Sequence, residues 1–368
     1  MRRLKKRSSS KTNFERKDEM KSKGLLELVR MCQKIGKRID YVQGGGGNIS
    51  VKLDSNFMAI KASGFRLGQV TKQEGYVIVD YSRIRDYYDN VNTSTAYDFE
   101  KESVDVAIKS IVQPTASVLR PSVEVGFHSI LDRYVIHSHS VYTNILACSY
   151  EGKEIAERIL KEEGYNPIWI PYINPGFSLT LKIKEKISSL SEKDKEKPKI
   201  LIMENHGLIV SSDVYKEVIE IHEKVNNLIK KRLGIKGRYP TVKLEKIGEE
   251  KYKSETKFIC DFIAIKNINY EFFEKYPLYP DQLVYINSNF STDEPKIEIS
   301  AKSKEVIYNT TYSEALAIEE TLLAYFYVIE QIDKLGLTIK TMTEDSTNYI
   351  KSWESEEYRK RIIKEIAK

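Results

Sequence analysis

Cysteine is scarce in this 368-residue chain: Cys32, Cys148 and Cys260 lie far apart and form no CxxC pair. That spacing excludes a disulfide framework and suits a reducing compartment, where such residues serve as small buried apolar groups. Long hydrophobic runs are missing too. No apolar stretch reaches the ~20 residues of a membrane helix, and the first residues hold no apolar core of a secretory signal. Nor is there a strong charge of one sign. The formal net charge is +6, and the opening stretch MRRLKKRSSSK alone carries six positive charges. The rest is close to neutral, which argues against a nucleic-acid or membrane partner and leaves residues 1–19 as a disordered basic tail. A cytoplasmic location follows as the expectation.

What is present is an alternation of elements. Residues 21–38 carry apolar side chains at helical spacing until Gly44–Gly47 interrupts them. NISVKL and FMAIKAS read as strands joined by an Asp54–Ser55–Asn56 turn, and YVIVDY reads as a third. A helix is expected over 98–113 and another opening at Pro121–Ser122 and carrying Glu124 and His128. YVIHSH and KILIM read as strands, VYTNILACS, 178–189 and 213–233 as helices, and 190–198 as a solvated charge run. This order predicts one layered, sheet-centred domain over 20–234. The charged, Gly- and Pro-containing stretch 235–254 reads as a linker. Residues 255–368 read as a smaller α+β unit, with KFICDFIAI a strand, a long helix over 313–334 and a last helix in SWESEEYRKRIIKEIA.

The chain has five histidines. His137 and His139 are two apart in an apolar strand, where alternate side chains share a face. That pair presents two nitrogens to one ion, or else is an ordinary feature of a strand surface. His206 sits between a strand and Gly207, whose freedom permits a sharp turn into a cleft. Three protein ligands and one open position describe a catalytic zinc site. His222, mid-helix among charges, reads as a solvated face. His128 lies four residues after Glu124, on the same helical face, as a support or as packing.

The order GGNIS, KASG, PSVE, HSH and NHG resembles the class II aldolase/adducin family, and IPYINPG (170–176) is also similar to its members. The resemblance spans about residues 20–234. It implies a three-layer αβα sandwich, here with an additional C-terminal α+β unit, and assembly as a homotetramer with sites between subunits. It implies that His137, His139 and His206 hold Zn2+, that Glu124 is the catalytic carboxylate, and that Gly47, Asn48, Ser63, Gly64 and Ser122 grip a sugar or sugar phosphate. The expected activity is that of an aldolase-type lyase working through an enediolate, whose charge a zinc ion carries while a carboxylate moves a proton.

The family also contains ribulose-phosphate 4-epimerases, which carry Asp where this chain has Glu124, and zinc-dependent dehydratases. It further contains the adducins, structural proteins that lack the metal histidines. The aldolases carry two consecutive hydroxyl residues where this chain has Ser122–Val123, so a different anion or an unphosphorylated sugar stays open as the substrate. Lys61 and Arg66 read as solvated surface groups, and Asp281, after Pro280, as a turn residue. Tyr172 is a candidate counterpart of a family tyrosine and is assigned no role.

Overall fold

Strand β1 (Asn48–Lys52) shows why this sequence folds as a layered sheet. Ile49 and Val51 enter one apolar cluster, while the intervening Ser50 points to the opposite face, where it meets His128. The computed structural model, which describes residues 13–94, 97–112, 119–290 and 294–351, repeats that alternation across a seven-stranded sheet. The order is β3 (Tyr76–Asp80), β2 (Phe57–Lys61), β1, β4 (Tyr134–Ser138), β7 (Gly207–Ser212), β6 (Lys199–Met203) and β5 (Ile168–Ile170). β5 and β6 pair in parallel and the other neighbours antiparallel.

Both faces are covered by helices, which makes the unit an αβα sandwich. On one face Ile136, Ile200, Ile202, Leu208 and Val210 join the cluster packed by the helices Asn13–Gly36, Val141–Ala147 and Tyr215–Arg232. On the other, Val135, Leu201, Met203 and Ile209 meet residues of Val125–Ile130 and Phe177–Ser188. Strands buried on both faces need apolar side chains at nearly every position, and this is why YVIH, KILIM and GLIV read as runs.

A second, antiparallel sheet orders β10 (Ile297–Ser300), β11 (Glu305–Asn309), β9 (Lys251–Ser254) and β8 (Leu244–Gly248). Beside it lies the helix Tyr312–Lys334, which also packs against Val141–Ala147 of the first unit. Ile318, Leu322, Tyr325 and Phe326 of that helix share a continuous apolar cluster with Tyr142, Ile145 and Leu146. The two units are therefore joined by core, not only by chain.

Several expectations are corrected. Residues 244–254, expected within a linker, hold β8 and β9, and Glu245 and Lys246 are exposed on β8, the edge strand of the sheet. KFICDFIAI is not a strand. It lies within the helix Lys257–Lys266, which buries Ile259, Phe262 and Ile263, and Asn267 ends it in the left-handed region at φ 50°. The three buried side chains recur at the three-to-four spacing of a helix, and the β-branched content of the segment masks that period. The expected basic tail overlaps the helix Asn13–Gly36, while residues 1–12 and the final helix expected in 352–367 lie outside the described residues. The helix expected from Pro121–Ser122 begins at Val125, and Glu124 occupies its N-cap position. The charge run 190–198 contains a helical turn, Glu192–Lys195. Of the cysteines, Cys32 and Cys148 are buried and Cys260 is half-buried, and all three are free.

Candidate metal centre

The register of β4 places the two histidines of the HSH segment. His137 lies opposite Asn48 of β1 and Ile209 of β7, on the face covered by Val125–Ile130, and His139 follows just past the strand end. His206 comes from the tight β6–β7 connection, where Asn205 is held at φ 50° by its side-chain amide, which donates to the carbonyls of Leu278 and Lys340 at 2.8 Å. Gly207 admits no side chain, because a Cβ there would lie 2.4 Å from the Ser138 carbonyl oxygen. Backbone constraint thus turns His206 toward the other two. One nitrogen from each imidazole lies within 4.8 Å of the others, and all three rings are buried.

The remaining contacts set the tautomers. His137 Nδ1 lies 3.1 Å from the Leu208 carbonyl, which can only accept, so Nδ1 carries the proton and Nε2 holds the free lone pair. His137 Nε2 in turn lies 3.0 Å from His139 Nε2. Burial holds His137 well below its ordinary pKa, against the pull of Glu124, and keeps the ring neutral as a metal ligand must be.

Glu124 completes the group. Its Oε1 lies 3.2 Å from His206 Nε2 and its Oε2 3.5 Å from His137 Nε2. Oε2 accepts from the Asn48 amide at 2.6 Å, while Oε1 is buried and accepts no hydrogen bond. Asn48 is itself held. Its carbonyl oxygen accepts from His128 Nε2, and His128 Nδ1 accepts from the Ser50 hydroxyl at 2.7 Å. Burial lowers His128 to about 3, so it stays neutral and can serve both bonds at once.

Three buried nitrogen donors around one point, with an adjoining carboxylate oxygen left without a donor, fit a divalent cation of borderline softness such as zinc. Ligands about 2.1 Å from one ion lie ~3–4 Å apart; here His137 Nε2 and His139 Nε2 are 3.0 Å apart and all three ligand atoms lie within 4.8 Å of one another. The same cleft is lined by Gly47, Asn48, Ser63, Gly64 and Ser122, so the five residues expected to contact substrate gather beside the histidines. Tyr172 does not line the cleft and packs against Leu283 and its neighbours.

Four residues depart from the sequence reading. His222 is buried, not solvated. Its Nε2 lies 2.7 Å from the hydroxyl of Ser138, the residue between the paired histidines, and burial lowers it to about 3. Lys61 is 2% exposed, and its ammonium donates to the carbonyls of Gly45, Ala62 and Phe65. Arg66 is partly buried and pairs with Glu320 at 2.8 Å. Asp281, expected in a turn, lines the cleft and contacts His139 Nδ1 across a separation of 142 residues. Nothing in local spacing marks it, because only the packing of the second unit brings it there.

A family model described as the class II aldolase and adducin N-terminal domain matches residues 26–233. An uncharacterized oxidoreductase, YuxG, of Bacillus subtilis (strain 168) is 26% identical over 244 residues, which cover 63% of this chain and 33% of the relative. This chain thus spans about a third of that relative's length. Among solved structures, the N-terminal class II aldolase domain of a protein from Thermoplasma acidophilum is similar at 23% identity and a TM-score of 0.47, covering 63% of this chain and 99% of that one. An L-fuculose 1-phosphate aldolase is similar at 19% identity and a TM-score of 0.37, covering 58% and 89%.

Proposed function

The chain belongs to the class II aldolase and adducin family, and on that premise we propose that it is a metal-dependent aldehyde-lyase acting on a ketose or ketose phosphate. The observation that carries the reading is the meeting of three buried imidazoles and a carboxylate at one point of a cleft. His137, His139 and His206 would hold the ion, with zinc the metal best matched to three nitrogen donors. When bound, such an ion supplies Lewis-acid chemistry, polarising a carbonyl oxygen and stabilising the negative charge that develops when the adjacent carbon–carbon bond breaks.

The chain's own residues supply the rest. Glu124 takes or returns the proton at the reacting carbon, because its Oε1 is the buried acceptor left open beside the histidines. Asn48 fixes the rotation of that carboxylate through Oε2, and His128 and Ser50 fix Asn48. Gly47, Ser63, Gly64 and Ser122 receive the far end of the substrate, with backbone N–H groups and hydroxyls as donors. Val123 offers no hydroxyl, and the Lys61 ammonium is turned onto three carbonyls. Both features favour a free ketose or a weakly held phosphate over a tightly gripped one. Assembly into a homotetramer, as the family suggests, is part of the proposal and is read by light scattering.

The test is a screen of zinc-loaded protein for aldehyde release from a panel of ketose 1-phosphates and the matching free ketoses. Release from at least one member is expected, and it should vanish in Glu124→Gln while zinc stays near one per subunit. Retained turnover in that variant rejects the role of Glu124. A chain that takes up no metal, despite intact folding, returns the scaffold reading represented by the adducins.

A further inference from the structure

The glycine-rich loop beside the histidines is held by residues that come from beyond position 235. The N–H of Gly44 donates to Glu320 Oε2 at 2.9 Å, and the N–H of Gly45 donates to the Tyr285 hydroxyl at 3.1 Å. Tyr285 belongs to a π-helical turn, Leu283–Asn287, that follows directly on the helical turn Pro280–Gln282 carrying Asp281. Asp281 and Tyr285 are four residues apart, a spacing that puts both on one helical face toward the loop. Such widened turns recur where a helix must present side chains to a site.

Asp281 is 2% exposed, and its Oδ2 hydrogen-bonds His139 Nδ1. Gly46 makes the approach possible, since a Cβ there would lie 2.5 Å from Asp281 Oδ2 and 2.8 Å from His139 Nδ1. With Nδ1–H donated to the carboxylate, the other nitrogen of His139 keeps its lone pair and faces His137 Nε2 at 3.0 Å. A carboxylate in this position selects one tautomer, fixes the ring plane and raises the basicity of the ligating nitrogen. His137 receives the equivalent service from a neutral backbone carbonyl, that of Leu208.

We propose that Asp281 is a positioning residue for the metal ligand His139, so that the unit following residue 235 supplies part of the metal centre and is not merely appended to it. The inference rests on the metal-site reading given above. It assigns Asp281 no contact with substrate.

The experiment is a zinc titration of the full-length apoprotein in competition with a chromophoric chelator, with cobalt(II) absorption as a second readout of the ligand field. Asp281→Ala should weaken zinc binding by about 10–100-fold. Asp281→Asn should lose less, because its amide oxygen still accepts from Nδ1–H. Tyr285→Phe, which touches the same loop but no ligand, should bind zinc as the wild type does. A dissociation constant for Asp281→Ala within twofold of wild type, with circular dichroism unchanged, overturns the proposal. So does an equal loss in Tyr285→Phe, which would mean that loop docking alone matters. If Asp281→Ala does not fold, Asp281→Asn decides: wild-type affinity and an unaltered cobalt spectrum overturn the proposal, and a weakened site with a shifted spectrum supports it. A wild-type protein that binds no zinc defeats the underlying metal reading as well. Tight wild-type binding with no effect at position 281 defeats this inference alone.

Discussion

At the scale of single residues, the site depends on groups that sequence marks unequally. His137, His139, His206 and Glu124 stand in short local patterns whose chemistry can be read without a fold, and the structure brings them together at one point. His222 and Asp281 carry no such mark, because their partners, Ser138 and His139, lie far away in the chain. A charged or polar letter in a sequence reports what the side chain is, not which elements will close over it. His222 shows the consequence for pH. Its folded pKa of about 3 lies below the ordinary 6.5, so the unfolded chain takes up the proton first. Its contribution to stability is therefore complete above about pH 6.5 and is lost as pH falls from there toward 3, at about 1.4 kcal/mol per pH unit. His128 follows the same sign. Urea unfolding of the apoprotein between pH 4.5 and 7.5 should show a slope reduced by about that amount in His222→Gln. A slope identical to wild type would mean that the ring is solvated after all. Gly46→Ala is expected to force apart Asp281 and His139, costing about 1–3 kcal/mol in stability and weakening zinc retention during dialysis.

Elements were legible where one physical signal dominates. Strands buried on both faces announce themselves as apolar runs, and the helix Tyr312–Lys334 shows its length plainly. The signal fails where two compete. In Lys257–Lys266 the β-branched and aromatic residues that favour strands are arranged at helical spacing, and packing resolves the conflict. There Phe262 stacks on Phe326 with ring centroids 4.5 Å apart. Phe262→Ala should cost about 3–5 kcal/mol in chemical denaturation, whereas a strand residue with one solvated face would cost far less. β8 and β9 were hidden for the opposite reason. Their side chains mix charged and apolar residues without a clear period and are partly exposed, and while β8 pairs with β9, β9 finds its other partner in β11 near residue 307.

For the whole molecule, the shared apolar cluster decides how the parts behave. Tyr142, Ile145 and Leu146 would be bared to water if the chain were cut after residue 234, because Ile318, Leu322 and Phe326 now cover them. The truncated protein is expected to aggregate, or to bind zinc more weakly than the full chain, as judged by gel filtration and metal analysis. Wild-type affinity in a soluble monodisperse fragment would show that the first unit is self-sufficient. Among the described residues, no helix is long and apolar enough to cross a membrane.

The anchoring of Gly44 by Glu320, itself paired with Arg66, ties the fate of two distant stretches of chain together. A chimera that exchanged residues 235–368 for another protein's extension would inherit a loop with its backbone donors unanswered, unless a hydroxyl arrived at position 285 and an acidic side chain at position 320. Divergence in one half is thus constrained by what the other half has already become.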